Sequence, residues 1–290
     1  MADNHRRDRV RGIGEAFLTI NETPVYFSED WNAGIGGGLW STGLAMAKYF
    51  ERHSDDVVEN LKHLASVRKD PSRRCSGSSA EDENEDSDGR GISALELGSG
   101  NGFLSVCLLA VAAHGGIPLD ELAATDMADH LDLMARTLKA NSHVWDRLTV
   151  LRAGDGVANE EFDGRLSETR RDNNQKQPSS TKVFVAEHLW GEFEPATSSM
   201  QSDMSNRKYD FIFGSDLAYR NSLHKPLISS LVKFSHRHTL CLIGVTMTDT
   251  QPAFFDLLTE AGFRYEKLAD HLLEREFRGS NFGIIAIQKQ

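Results

Sequence analysis

The sequence predicts an α/β fold: a seven-stranded, mostly parallel sheet with helices on both faces and an antiparallel last strand. Three observations carry this. From Ser93 onward, apolar runs of strand length alternate with segments of helical period, a pattern that builds parallel sheets. Ala94, Leu95 and Leu97 are apolar on both alternating faces, as a strand covered on two sides must be. The last two strand-like segments, residues 265–273 and 282–288, follow each other with no helix between, so the final pair is antiparallel.

Residues 1–12 are charged, with a modest basic excess, and are expected to be disordered. Residues 15–27 hold two short strands around Asn21-Glu22, a hairpin laid over the core. A glycine-rich approach from Gly34 then feeds a helix running to Glu51 with Leu44, Ala47 and Phe50 on one face and Trp40 at its entrance. Residues 54–90 begin with a helical pattern (Val57, Leu61, Leu64) and pass into Ser-Gly-Ser-Ser and the acids Glu81, Asp82, Glu83, Glu85, Asp86 and Asp88. That composition predicts a disordered insertion.

Residues 93–102, Ser-Ala-Leu-Glu-Leu-Gly-Ser-Gly-Asn-Gly, read as a strand, a tight turn and the start of a helix over 103–114. A second strand over 122–126 precedes helical spacing of Leu131, Met134 and Leu138 across 127–141. Residues 149–152 and 183–189 both read as strands, the latter as the third core strand, separated by a polar insertion near 154–181. A fourth strand over 209–216 leads into a helix carrying Leu223, Leu227, Leu231 and Phe234. After a fifth strand, 240–245, a helix over 252–261 is closed by Gly262, and the final pair completes the sheet. The expected organisation is an extension over 1–53, the acidic insertion over 54–90, and one Rossmann-like core over 91–290.

The chain has 290 residues, 39% of them hydrophobic, enough for one sizeable domain with insertions. A formal net charge of -11 argues against nucleic acid as the main partner and favours a basic protein surface. Cys75, Cys107 and Cys241 lie far apart and form no disulfide framework, which points to a reducing compartment. No apolar signal region opens the chain, and no stretch approaches the roughly 18 apolar residues of a spanning helix. A soluble, monomeric protein of the cytoplasm is expected, with the nucleus as the other compartment open to it.

Sheets of this kind bind ligands beyond the carboxyl ends of their strands. There the turn reads E-x-G-x-G-x-G, from Glu96 through Gly98, Ser99 and Gly100 to Gly102, and Phe103 stands where a dinucleotide fingerprint wants its third glycine. Alone, this is either a nucleotide-like cofactor site or a plain tight turn. Asp126 ends the second strand, where an acid accepts hydrogen bonds from ribose hydroxyls or caps the next helix. Trp190 ends the third strand, and Ser215-Asp216 the fourth. Trp40 is either a core aromatic or the wall of a pocket for a flat adenine ring. Together the four tips are far more specific than any one. His236, His238 and Cys241 lack a second ligand pair, so no metal site is expected, and Ser99 is in no hydrolase elbow.

At these residues the chain resembles the class I, seven-strand S-adenosylmethionine-dependent methyltransferases, and more narrowly the family 16 group of protein-lysine methyltransferases. The resemblance rests on the glycine-rich lead into Leu39-Trp40, on Leu95 to Gly102, Thr125-Asp126 and Leu189-Trp190-Gly191, and on Asp216-Leu217-Ala218-Tyr219 with its D-x-x-Y form. The continuation Ser222 to Leu227 is similar too, and the likeness covers most of 34–290 apart from the two insertions. It implies that Trp40, Glu96, Gly98, Ser99, Gly100, Asp126, Trp190 and Ser215 line the cofactor, S-adenosylmethionine. It further implies that Asp216 and Tyr219 are catalytic, beside the amine of a protein lysine. A protein histidine or a small molecule is the alternative acceptor, and a catalytically silent binding module docking a basic partner is the alternative of another class. A purely structural account has Asp216 capping a helix and Tyr219 packed in the core. The two insertions depart from the compact family pattern and leave the substrate open.

Overall fold

The computed structural model describes residues 15–69, 91–115, 117, 119–152, 159–164, 181–192, 207–279 and 281–290. Among them, nine strands form one sheet. A hairpin, β1 (Leu18–Ile20) and β2 (Thr23–Val25), comes first, turning through Asn21 and Glu22 in left-handed backbone. Helices α1 (Ser41–Arg52) and α2 (Ser54–Lys69) follow. The core continues with β3 (Ile92–Leu97), α3 (Phe103–Gly115), β4 (Leu119–Asp126), α4 (Leu131–Ala140), β5 (Arg147–Val150), β6 (Glu160–Asp163) and β7 (Lys182–Glu187). It ends with β8 (Tyr209–Ser215), α5 (Asn221–Phe234), β9 (Ser235–Thr246), α6 (Pro252–Glu260), β10 (Phe263–Lys267) and β11 (Phe282–Lys289).

The order across the sheet is β10-β11-β9-β8-β3-β4-β7-β5-β6. β3 lies between β4 and β8, parallel to both, with Leu95 opposite Ala123 on one side and Ile212 on the other. β11 runs antiparallel to β9 and β10, as the sequence led one to expect, and β6 runs antiparallel to β5 at the far edge. Beyond β7 the sheet continues into β5, which spans Arg147–Val150 where a strand was expected over 149–152, and into β6, which the sequence did not lead one to expect.

Period-two alternation divides β3 between two cores. Ile92 and Ala94 face the larger cluster with α1, α2, α3 and α4, while Leu95 and Leu97 face the smaller one with α5 and α6. α3 is apolar all round and buried from Phe103 to Ala112, because α1, α2 and the hairpin cover whatever the sheet does not. The Phe17 and Phe27 rings meet Phe103 at 5.4 and 4.9 Å.

Several boundaries differ from expectation for local reasons. α2 is an ordered helix burying Val57, Val58, Leu61 and Leu64, so the expected insertion does not begin at 54. The expected disorder of residues 1–12, the acidic run 81–88 and the loop at 165–180 lie outside the described residues. The helix expected from 127 starts at Leu131, after a 3-10 turn over Ala128–His130. The strand expected over 265–273 spans Phe263–Lys267 and yields to 3-10 turns that bury Leu273 and Phe277. β7 ends at Glu187, leaving Trp190 in the turn beyond it. Among the described residues, no helix is long and apolar enough to cross a membrane.

The hairpin is fastened by one fully buried amide. Asn141 accepts from Tyr26 N at 2.8 Å and donates to Tyr26 O at 2.8 Å, copying a strand pairing. Its Nδ2 also reaches Thr137 O at 2.8 Å. Asn141→Ala strands both Tyr26 groups and is expected to lower unfolding stability by about 2 kcal/mol or more in urea titration; an unchanged midpoint would show that the hairpin does not depend on this pair.

Candidate active site

The first ingredient is a place where the sheet's own helices leave room. α3 departs from β3 toward one face and α5 from β8 toward the other, so the carboxyl ends of these adjacent strands have no helix across them. A cleft of about 630 Å³ opens there. Gly98 and Gly100 carry the chain out of β3 in left-handed backbone, with φ of 62° and 54°. A Cβ on Gly98 would stand 2.7 Å from Leu217 Cδ2 and 2.9 Å from Trp190 Cζ2, so side chains from the other two tips close directly over the turn. Ser99 ties it to the next strand, its N donating to Thr125 O at 2.9 Å and its Oγ accepting from Thr125 N at 3.1 Å.

Acids supply the second ingredient. Glu96 is 2% exposed, and burial pushes its carboxyl up to about 8 although the Ser105 and Ser99 hydroxyls donate to it; the nearby Asp126 pushes the same way. Asp126 ends β4 with three hydrogen bonds: Oδ2 accepts from Gly100 N at 2.7 Å, and Oδ1 from Met127 N at 2.7 Å and His130 Nδ1 at 2.8 Å. Asp216 follows β8 in left-handed backbone, φ 56°, and desolvation raises its carboxyl above the ordinary aspartate range. The Thr42 hydroxyl donates to Oδ2 and Thr246 Oγ1 to Oδ1 at 3.2 Å, both opposing the rise, while Asp249 adds to it.

Thr42 is the second residue of α1, whose N-cap position holds Trp40 with no side-chain cap. Asp216 therefore also supplies the carboxylate missing at that helix start. Tyr219, by contrast, is 40% exposed and faces the cleft, which sets aside the core-packing account of it.

Aromatic walls complete the site. Trp40 stands at the rim, its Nε1 donating to Ile35 O at 3.0 Å and its ring edge-to-face with Trp31 at 6.0 Å. Trp190 is half-buried against Gly98 and Leu217. The structure thus brings Trp40, Glu96, Gly98, Ser99, Gly100, Asp126, Trp190, Ser215, Asp216 and Tyr219 into one cleft. Sequence reasoning missed Thr42, Asn101, His130, Thr246 and Asp249. Asn101 carried a signal: it stands two residues before Phe103, where its Oδ1 accepts from Phe103 N at 3.0 Å, and its Nδ2 donates to Gly38 O at 2.9 Å.

The charge of the cleft is one-sided. Five carboxyl groups line it, Glu96, Asp126, Glu192, Asp216 and Asp249, of which Glu96 holds its proton at neutral pH, and among the described residues no lysine or arginine does. Burial lowers His188, also in the lining, to about 4, so it is neutral at physiological pH. A glycine turn packed under Leu217 and Trp190, an acid at the second strand's end and an excess of acids over cations in the lining together fit a flat, ribose-bearing cofactor that is itself a cation.

The family model described as lysine methyltransferase matches residues 19–162. A search of curated proteins finds no match. Among solved structures, the chain is similar to an O-methyltransferase family protein from Burkholderia thailandensis, at 10% identity over 87% of this chain and 63% of that one, with a TM-score of 0.42. It is also similar to a precorrin-6y C5,15-methyltransferase from Geobacter metallireducens (12% identity, 69% of this chain, 81% of that one, TM-score 0.39). A ribosomal protein L11 methylase from Lactobacillus delbrueckii subsp. bulgaricus is similar at 13% identity over 80% of this chain and 79% of that one, with a TM-score of 0.38.

Glu96 leaves a signature in stability. Its folded value near 8 exceeds the ordinary 4.5, so the native state holds the proton more tightly, and stability falls as pH rises between these values. Glu96→Gln removes that slope. Urea unfolding across the window is expected to show a steeper decline in wild type than in the variant, and parallel profiles would contradict the buried, protonated carboxyl.

Proposed function

We propose that this chain, whose residues 19–162 match the family model described as lysine methyltransferase, is an S-adenosylmethionine-dependent methyltransferase that methylates the side-chain amine of a lysine in a protein substrate. The observation that carries this reading is the cleft lined by five carboxyl groups, with no lysine or arginine among the described residues beside them. Two cations meet in such a reaction, the sulfonium and the lysine ammonium, and a one-sided acidic lining stabilises both. The chain's net charge of -11 favours a basic partner in the same way.

In this reading Asp126 accepts hydrogen bonds from the ribose hydroxyls, the turn from Gly98 to Gly100 presents its backbone to the cofactor, and Trp40 and Trp190 flank it. Ser215 and Glu96 complete its lining. Bound S-adenosylmethionine supplies an electrophilic methyl group on a positively charged sulfur. Asp216 and Tyr219, from the same strand end, face the acceptor. A lysine amine at its ordinary pKa of about 10.4 is almost wholly protonated at neutral pH and must lose a proton before it attacks. Asp216 accepts a hydrogen bond from the ammonium and aims it, and the Tyr219 ring offers its face to the cation. With the cofactor held by Asp126, the glycine turn and the two tryptophans, its sulfonium would supply the methyl group and keep the electron pair as the neutral thioether. Asp216 and Tyr219 would hold the acceptor amine, its proton passed to solvent, ready to accept that methyl group.

Thr42 and Thr246 hold the Asp216 carboxylate in this position. The informative variant is therefore Asp216→Asn, which keeps an oxygen for Thr42. It is expected to cut methyl transfer about 100-fold while leaving cofactor affinity nearly unchanged, with Tyr219→Phe causing a smaller loss. The assay incubates the protein with labelled methyl donor and cell extract and sites the label by mass spectrometry. Label on lysine that disappears with Asp216→Asn supports the reading; label on histidine, label confined to small molecules, or no transfer by wild type overturns it.

A further inference from the structure

His130 is 4% exposed, lines the cleft, and has no part in the chemistry described above. Its Nδ1 lies 2.8 Å from Asp126 Oδ1. The partner is a carboxylate, which only accepts, so Nδ1 carries the hydrogen and donates. Backbone packs against the ring: a Cβ on Gly36 would come within 2.6 Å of the imidazole Cε1, 2.7 Å of its Nε2 and 2.9 Å of its Nδ1, while Asp129 Oδ1 lies 4.0 Å from Nε2. Gly36 in turn lies close to the cofactor turn, since a Cβ on Gly100 would stand 3.0 Å from Gly36 O. Gly100 N closes the circuit by donating to Asp126 Oδ2. Four groups, Asp126, His130, Gly36 and Gly100, therefore brace one another in a ring at the edge of the cleft.

The consequence falls on Asp126. A carboxylate offers about four acceptor positions. His130 and Met127 N occupy Oδ1, and Gly100 N takes one position on Oδ2. What stays available is on Oδ2, beside the glycine turn. We propose that His130 is a positioning residue for cofactor binding: it pins Oδ1 of Asp126 so that Oδ2 is presented to the ribose hydroxyls. This rests on the assignment of Asp126 to the ribose. A hydrogen bond to a charged group is among the stronger kinds, so its loss is felt in affinity even though His130 never touches the ligand.

The test is calorimetric titration of S-adenosylmethionine and of its demethylated product into wild type, His130→Leu, His130→Asn, Asp126→Ala and the His130→Leu/Asp126→Ala double variant. His130→Leu is expected to weaken both ligands about tenfold or more, while His130→Asn, whose amide N–H falls near the place of Nδ1, stays within about threefold of wild type. The double variant is expected to bind no more weakly than Asp126→Ala alone, because residues acting through one another are not additive. A merely structural histidine would instead weaken binding equally with and without Asp126. Wild-type affinity in His130→Leu, or full additivity in the double variant, overturns the proposal. Should His130→Leu fail to fold, His130→Gln, which moves the donor away from Oδ1, takes its place with the same expectation. If Asp126→Ala itself binds like wild type, the ribose assignment falls, and the proposal with it.

Discussion

The protein's chemistry depends on a point where two strands part company. β3 and β8 are neighbours, yet their helices leave toward opposite faces, so nothing regular can cover the carboxyl ends between them. Everything at the site is an arrangement around that gap. The glycine turn leaves β3 with no side chain in the way, Leu217 comes over from β8, and Trp190 arrives from β7. The N-terminal segment then crosses from outside the sheet, tied by Asn101 to Gly38 and by Thr42 to Asp216. Segments far apart in sequence thus meet over one turn.

Electrostatics gives that gap its selectivity. Glu96 is buried without a cation and takes up a proton far more readily than an ordinary glutamate. Asp216 is pushed the same way more mildly, being less completely buried, with two threonine hydroxyls offsetting part of its desolvation. Arriving positive charge stabilises the ionised form of acids in this condition, and the lining offers none of its own from lysine or arginine among the described residues. A cationic cofactor answers that deficit, and so does the cationic acceptor proposed above.

Much of this was legible in the sequence because it is written locally. A strand that ends in E-x-G-x-G-x-G, an acid at the end of the next strand and D-x-x-Y after the fourth each occupy a few consecutive residues, and the sheet gathers the tips. What escaped notice is held together by distance. Thr42 looks like one more residue of a helix start, and its meaning comes from an aspartate 174 positions away. His130 is four residues after Asp126, but the intervening 3-10 turn, rather than the expected helix, brings its ring back onto the carboxylate. β6 is short and carries three acids in four residues, so its pairing with β5 has no apolar alternation to betray it. α2 looked like the start of a solvated insertion because its acids precede its buried face, and only packing on α3 shows that face to be core.

The most direct measurement is equilibrium dialysis of labelled S-adenosylmethionine against wild type and Gly98→Val, with circular dichroism to confirm that the variant is folded. A valine there meets Leu217 and Trp190 at the floor of the cleft and suffers in left-handed backbone. The account predicts one bound cofactor per wild-type chain and retention lost in the folded variant. Equal retention by the two proteins would contradict it.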